Sequence, residues 1–438
     1  MSQVMRKTLR VLLSLILVVV FTTSCTGSTT PKTADTTAPS GPQQVVINHL
    51  TVRNTGCTQN VKELAAKYAE THPGFVYNQE VITDRPAAMQ KVKTLVASNS
   101  LPEWFEIDPT AYCQELIKAG MLVNQGELLD RLNLREFFYP MGLNYHEIED
   151  VGLYTLPLDL NLEFFYYNTD LYKKYNLEVP VTWDEFFANC ETLKANGVTP
   201  IAITGIDQWP ILRYFAMMPF RMVDNDWAKK VVTGQASVTD QYGQAAMEFI
   251  QTAGAYFQEG WSTMDYNTTL NLFLGGKAAM HHTGTWDLSA MQDKNLSDDM
   301  KGKIDFFKLP TIENSPTTQN QYFGHGGVGV AFAAAKWNKG QEDFLKYLVE
   351  NYSENALKIG GFIPMTKATL PAGTDDLTVR CWAELPNFET NILTWDVILD
   401  ETSVVWYGEN LTALAMGLIT PDEFAEGADQ VVKDNLPK

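Results

Sequence analysis

Residues 152–171 read Gly-Leu-Tyr-Thr-Leu-Pro-Leu-Asp-Leu-Asn-Leu-Glu-Phe-Phe-Tyr-Tyr-Asn-Thr-Asp-Leu. Two runs within them, 152–158 and 163–167, are rich in aromatic and aliphatic side chains, which is typical of buried strands. Asp159, Asn161 and Glu163 interrupt the apolar residues with groups that need hydrogen-bond partners when buried. Because their spacing is two, an extended chain turns all three to one face. This face either meets a ligand rich in hydroxyl groups, or its polar groups cap a strand end or reach water.

The segment that follows predicts a helix. Thr182 and Glu185 have the spacing of a capping box directly after Pro180, and an amphipathic pattern continues to Gly197. This part of the sequence has a structural role, because the capping box satisfies the first free backbone N–H groups locally.

Segments with the spacing of strands and helices alternate along the chain, which indicates an α/β fold. The predicted strands are 45–52, 75–82, 104–107, 200–204 and 277–282, and the predicted helices are 59–70, 85–98, 239–258, 341–352 and 421–433. About 395 residues follow the N-terminal segments. A chain of this length usually forms more than one hydrophobic core, so we expect two lobes.

The stretch 152–197 resembles the motif at which the extracytoplasmic solute-binding proteins of sugar-type ABC importers cross between lobes. These proteins are the maltose-binding-protein-like extracellular solute-binding protein family 1. Other blocks that resemble the family occur along the chain in the same order as in the family. They are Leu101–Asp108, Leu272–Met280 with Gly284-Thr-Trp286, Ile304–Pro310, Gly360–Pro364 and Met416–Glu423. The resemblance implies a two-lobe periplasmic-binding-protein fold of type II with a hinge and an interlobe cleft. It places 45–156 plus 311–364 in the N-terminal lobe and 157–310 plus 365–438 in the C-terminal lobe, with further crossings at 304–310 and 360–364.

The N-terminus predicts export. Arg6, Lys7 and Arg10 precede the apolar run 11–21, which is too short to span a bilayer and is typical of a signal peptide, here 1–24. The small residues before Cys25 resemble a lipoprotein processing site, which implies a lipid (palmitate) anchor on Cys25. Residues 25–44 then form a tether rich in Thr, Ser, Pro and Gly. We expect a protein anchored on the extracytoplasmic face of the cell membrane.

The chain is strongly acidic. Its formal net charge is −19, and removal of the signal peptide takes away three basic and no acidic residues. Such a surface repels nucleic acid and disfavours anionic ligands, so a neutral ligand fits best. The charge is also explained as an adaptation for solubility.

A sugar site needs aromatic planes for the C–H faces of the sugar and carboxylate or amide groups for its hydroxyl edge. By resemblance, Trp286 at the signature turn is a stacking candidate, and Trp395 or Trp406 supplies another aromatic wall. Trp209, after a predicted strand, either reaches the cleft as a second stacking residue or packs in the second lobe. Trp104 and Trp183 are expected in the core. The candidates for the polar edge are Asp159, Asn161, Asp108, Glu106 and Asn54.

The cysteines, the His281–His282 pair and a glycine-rich motif do not indicate a metal or cofactor site. Cys57, Cys113, Cys190 and Cys381 allow three disulfide pairings, among which the sequence does not choose. His281 and His282 point to opposite faces of a strand, so a shared metal is not expected. Residues 324–329 satisfy G-x-G-x-x-G, but an apolar strand follows instead of a helix, which excludes a dinucleotide fingerprint. We expect no metal and no cofactor.

The resemblance implies the substrate-binding component of an ABC importer, which closes its lobes around a neutral mono- or oligosaccharide and delivers it to permease subunits. Such a protein is a monomer and not an enzyme. The alternative is a secreted glycoside hydrolase that uses two cleft carboxylates. A peptide, amino-acid or sugar-phosphate receptor fits less well, because the matched blocks contain no conspicuous Arg or Lys.

Overall fold

A computed structural model describes residues 44–83 and 85–436. The signal peptide, Cys25 and nearly all of the tether lie outside the described residues. The strands are β1 (Val45–Thr51), β2 (Phe75–Val81), β3 (Trp104–Ile107), β4 (Glu147–Ile148), β5 (Gly152–Leu153), β6 (Thr155–Leu156), β7 (Asp159–Asn168), β8 (Thr199–Ala202), β9 (Ala278–Gly284), β10 (Ile304–Phe307), β11 (Gln321–Tyr322), β12 (Gly324–His325), β13 (Gly329–Phe332), β14 (Ile363–Pro364) and β15 (Thr390–Asn391).

Helices alternate with these strands over most of the chain. They are α1 (Gly56–Thr71), α2 (Arg85–Ala97), α3 (Ala111–Lys118), α4 (Gln125–Leu132), α5 (Pro140–His146), α6 (Thr169–Lys174), α7 (Trp183–Ala195), α8 (Trp209–Val223), α9 (Asp226–Val232), α10 (Gln241–Gly254), α11 (Tyr266–Leu274), α12 (Leu288–Met291), α13 (Lys339–Ile359), α14 (Asp376–Ala383), α15 (Trp395–Ile398), α16 (Glu401–Ala415) and α17 (Pro421–Asn435). The predicted alternation is confirmed, and the capping box of Thr182 and Glu185 opens α7 as expected. Within the described residues, no helix combines the length and apolar character that crossing a membrane requires.

The first lobe is built on a five-stranded sheet with the order β2-β1-β3-β13-β6. β1 runs parallel to both β2 and β3, whereas β13 runs antiparallel to β3 and β6. Both faces of this sheet are covered: Trp104 packs in a core on one face and its neighbour Phe105 in a core on the other. Side chains alternate along a strand, so consecutive apolar residues are what a doubly covered sheet requires.

The second lobe is built on a six-stranded sheet in which β7 is central. β10 and β9 flank its later residues, β12 and β14 pair with its first residues, and β8 extends the sheet beyond β9. All ten residues of β7 are buried because neighbours cover it on both sides. The strand is longer than the predicted run 163–167, since it begins at Asp159 and includes Asn161.

The chain passes between the two sheets at three places. Residues 157–158 join β6 to β7, and residues 326–328 join β12 to β13. The third passage follows α13 and reaches the second-lobe sheet at β14; Met365, directly after β14, still packs in the first-lobe core, and Cys381 packs in the second-lobe core.

The middle passage differs from the sequence-based expectation. Residues 304–310 were expected to cross, but β10 is an edge strand of the six-stranded sheet, and Thr311 bridges to Thr182 in the same lobe. Tyr322 and Phe323 pack in the second-lobe core as well. The apolar run 304–310 has the same local pattern whether the chain crosses to the other lobe after it or remains in the same lobe. We therefore propose that the second lobe extends to His325.

Candidate functional site

An arginine joins the ends of three segments where the two sheets meet. Arg53, in the loop after β1, donates from Nη1 to Asp159 Oδ1 at 2.7 Å and from Nη2 to Glu106 Oε1 at 2.9 Å. Nη2 also donates to the carbonyl oxygen of Val328, at 2.8 Å, in the passage between β12 and β13. Glu106 lies in β3 and accepts a further bond from the backbone N–H of Val52 at 2.7 Å. Arg53 therefore ties the first lobe to two of the three passages.

The carboxylates of this cluster are almost completely shielded from water. The side chains of Glu106 and Asp159 are 0% and 2% exposed, and that of Arg53 is 14% exposed. Burial raises the pKa of Glu106, and the guanidinium of Arg53 opposes this effect. The cluster depends on Arg53, because a buried carboxylate without a partner is costly.

Gly327 allows the passage to pack directly against this cluster. Its φ of 65° lies in the left-handed region, and a Cβ atom there would lie 2.5 Å from Asp159 Oδ1 and 2.9 Å from both Arg53 Nη1 and Asn161 Nδ2. Only a glycine accommodates both the positive φ and these close contacts without strain. The Gly-rich motif 324–329 thus serves close packing at a passage, which explains why it lacks the helix of a dinucleotide site.

A second charged cluster lies deeper in the second lobe. Arg213 of α8 donates from Nε to Glu163 Oε1 at 3.1 Å and from Nη1 to Asp396. His325 Nε2 lies 3.1 Å from the same Glu163 oxygen. Burial alone would raise the pKa of Glu163, but Arg213, His325 and His282 outweigh it and lower the pKa to about 2. Glu163 therefore stays ionised and holds Arg213 in place.

Four rings form an aromatic corner beside these clusters: Trp209, Tyr266, Trp286 and His325. The ring of Trp286 is edge-on to that of Trp209 at a centroid distance of 5.8 Å and lies 5.6 Å from that of His325. Arg213 lies over Trp209 at 5.2 Å. Trp209 and Trp286 are both only half-buried, so their rings are accessible. Across the junction, the ring of the first-lobe residue Tyr145 lies 5.2 Å from that of His325.

The structure brings most of the predicted site residues to this junction. Asn161 is 2% exposed, and its Oδ1 has no hydrogen-bond partner among the described residues. Asp108 pairs with Arg85 at the C-terminal end of β3, and Asn54 is exposed in the loop after β1.

Trp395 and Trp406 lie elsewhere, which corrects the expectation that one of them forms an aromatic wall. Trp395 is 1% exposed and packs against Phe215 and Trp227 in the second-lobe core. Trp406 packs against Phe424 and over Gly427, between α16 and α17. The apolar spacing of a helix predicts that one side is buried, but not which neighbour covers it.

Sequence reasoning missed Arg53, Arg213, Tyr266 and His325. Two of them had a local signal: Arg53 directly precedes the predicted Asn54, and Arg213 follows Trp209 by one helical turn. Arg53 and Arg213 lie at the site, although neither belongs to the matched blocks on which the expectation rested. Each is paired with two carboxylates, and Arg85 is paired with Asp108, so each of these guanidinium groups already has an anionic partner.

The four cysteines of the described residues are free and buried. His281 donates from Nδ1 to the carbonyl of Ala202 at 2.8 Å, whereas His282 lies beside Glu163. The two imidazoles point to opposite faces of β9, as the alternation of a strand predicts.

Two α/β lobes with a polar and aromatic site at their junction define a two-lobed ligand-binding protein. Residues 55–351 match the family model described as bacterial extracellular solute-binding protein, and the chain belongs to that family.

Relatives agree with this assignment. The chain is 27% identical over 286 residues to the multiple sugar-binding protein of Streptococcus mutans serotype c, an alignment that covers 61% of this chain and 63% of that protein. A chitin oligosaccharide binding protein shares the fold with a TM-score of 0.78 and 24% identity, covering 89% of this chain and 98% of that one. RafE in complex with raffinose superposes with a TM-score of 0.70 and 17% identity over 90% of this chain and 100% of that one. These structural likenesses show the maltose-binding-protein-like two-lobe fold.

Proposed function

We propose that the protein is the substrate-binding component of an ABC importer, which captures a neutral sugar or oligosaccharide outside the membrane and delivers it to a permease by lobe closure. The observation that carries the proposal is the half-buried aromatic corner at the junction of the lobes. Flat, accessible indole rings beside polar groups are what a sugar requires, since its C–H faces stack and its hydroxyl edge forms hydrogen bonds.

The charges around the corner favour a neutral ligand. Arg53 is shared by Glu106 and Asp159, and Arg213 by Glu163 and Asp396, so each cluster contains more carboxylates than guanidinium groups. A ligand carboxylate or phosphate would meet excess negative charge. Relatives named for multiple sugars, for chitin oligosaccharides and for raffinose support the same class of ligand.

The proposed contacts follow from exposure. Trp286 and Trp209 provide stacking faces, and the exposed Asn54 is a polar partner at the rim. Asp108 is buried and paired with Arg85, so it meets the ligand only behind this rim. Glu106, Asp159 and Asn161 are too buried to be the outer contacts. Glu106 and Asp159 hold Arg53, whereas Asp159 and Asn161 lie against Gly327 of the passage.

The delivery step requires that the protein stay near a membrane. We propose that Cys25 carries the lipid anchor, that the tether leaves the lobes free to reach the permease subunits, and that the protein acts as a monomer and not as an enzyme. Lobe closure around the ligand adds contacts that the open form lacks, so the ligand itself shifts the equilibrium.

A calorimetric and thermal-shift screen against neutral mono- and oligosaccharides tests the proposal, because a ligand that binds only the folded state raises the unfolding midpoint. Trp286→Ala should abolish the shift. Trp337→Ala is the matched control, since Trp337 is also half-buried but stacks on Phe332 in the first lobe. Small-angle scattering should show a smaller radius with the bound sugar. Cleavage products from an oligosaccharide, or no binding across the panel, would refute the proposal.

A further inference from the structure

The indole of Trp286 is hydrogen-bonded by the protein although the residue is only half-buried. Its Nε1–H donates to the hydroxyl oxygen of Tyr266 at 2.6 Å. An exposed indole N–H is ordinarily free to donate to water, which leaves the ring free to turn. Here the polar end of the ring is attached to the first residue of α11.

The hydroxyl of Tyr266 is attached in turn to a buried carboxylate. Tyr266 donates to Asp287 Oδ2, and Thr283 Oγ1 donates to the same oxygen at 2.7 Å. Asp287 is 8% exposed. A phenol has one proton, so a Tyr266 that gives its proton to Asp287 presents only lone pairs to the indole. The carboxylate therefore sets the direction of the Trp286 hydrogen bond.

The rest of the indole is confined by close packing. A Cβ atom at Gly284 would lie 2.1 Å from Cζ3 of Trp286, so the ring lies directly across the backbone of Gly284. The edge-on ring of Trp209 closes another side. Gly284, Trp286 and Asp287 come from the end of β9 and the turn after it, and Tyr266 comes from α11.

We propose that Tyr266 and Asp287 are positioning residues that hold the Trp286 indole in the orientation in which a sugar ring stacks. The proposal rests on the proposed function. All the residues involved belong to the second lobe, so the stacking plane is formed before the lobes close. A plane that is already fixed reduces the ordering cost of binding.

Tyr266→Phe tests the proposal, because it keeps the ring and removes the hydroxyl that accepts the bond from Trp286 Nε1 at 2.6 Å. Hydrogen exchange of the Trp286 indole N–H, followed by NMR on 15N-tryptophan-labelled protein and assigned with Trp286→Phe, reports the hydrogen bond directly. We expect slow exchange in the unmodified protein and fast exchange in Tyr266→Phe. The dissociation constant for the sugar that binds in the screen should rise roughly 5- to 30-fold, since a donor loses its partner in a partly buried site.

Tyr407→Phe is the matched control. Tyr407 is fully buried in the same lobe, and its hydroxyl has no hydrogen-bond partner among the described residues. The control should leave both the indole exchange and the affinity unchanged. Asp287→Asn is the second variant, with an expected rise in the dissociation constant of about 2- to 5-fold, because a neutral amide oxygen accepts a weaker hydrogen bond than a carboxylate.

The outcomes separate the two proposals. If no sugar binds the unmodified protein, the proposed function fails, and the exchange rate of the indole alone decides the role of Tyr266. If a sugar binds and Tyr266→Phe changes neither exchange nor affinity, the positioning proposal is overturned. If Tyr266→Phe does not fold, Asp287→Asn decides by the same two measurements.

Discussion

We expect Arg53→Met to destabilise the protein by about 3–5 kcal/mol near pH 8, because it leaves buried charge without a partner. The structure indicates this large value because the side chains of Glu106 and Asp159 are 0% and 2% exposed. Water therefore cannot replace the guanidinium. Methionine keeps much of the apolar stem, so the loss reports the charge and its hydrogen bonds.

The loss should depend on pH. Burial already raises the pKa of Glu106 in the folded state, and the substitution removes the opposing effect of Arg53. A carboxyl group whose folded pKa is raised favours the folded state at low pH and loses that contribution as pH rises from its unfolded value, about 4.3, through its folded value. The destabilisation should therefore be smaller at pH 5 than at pH 8, because the folded variant retains a proton on Glu106 that the unfolded chain has lost.

Urea unfolding at the two pH values measures both effects. Arg135→Met is the control: Arg135 pairs with Asp130, but the two side chains are 40% and 61% exposed, so the expected loss is below about 1 kcal/mol at either pH. The double variant Arg53→Met/Glu106→Gln should recover part of the stability. A loss below about 1 kcal/mol for Arg53→Met, equal at pH 5 and pH 8, would refute the reasoning.

Three further results are expected. Gly327→Ala should cost at least about 1 kcal/mol more than Gly120→Ala in urea unfolding, because both have positive φ but a Cβ meets close contacts only at Gly327; equal losses would contradict the close-packing argument. Trp395→Ala should lower the free energy of unfolding by about 3–5 kcal/mol without changing the sugar affinity of the folded fraction, since it opens a core cavity; calorimetry showing lost affinity in well-folded protein would return Trp395 to the site. Thr182→Ala should cost about 1 kcal/mol of stability through loss of the cap of α7, and an unchanged urea midpoint would argue that the capping bond contributes little.

Local signals predicted the elements well. β3 has the predicted bounds, and β1 and α7 lie where their apolar spacing and capping residues placed them. Asp159, Asn161 and Glu163 share one buried strand, as their spacing of two required. These features depend on residues close together in the chain, so a single sequence contains the information.

The partners of the site residues were not predictable in the same way. Arg53 meets Asp159 across 106 positions, and Arg213 meets Asp396 across 183. Nothing in the spacing of these residues indicates that they touch, because the contacts form only when the sheets are assembled. For the same reason, one of Trp395 and Trp406 was expected in the cleft, although their helices place both against neighbours within the second lobe.

By itself the sequence determined which segments become strands and helices, that the fold is α/β, and that Trp286 follows a strand at a tight Gly-Thr-Trp turn. Only the tertiary structure decided where the middle passage between the sheets runs, which carboxylates hold Arg53 and Arg213, and that Tyr266 anchors the indole of Trp286. The physical reason is distance along the chain: periodicity and capping are local, whereas ion pairs and ring contacts depend on which distant segments pack together.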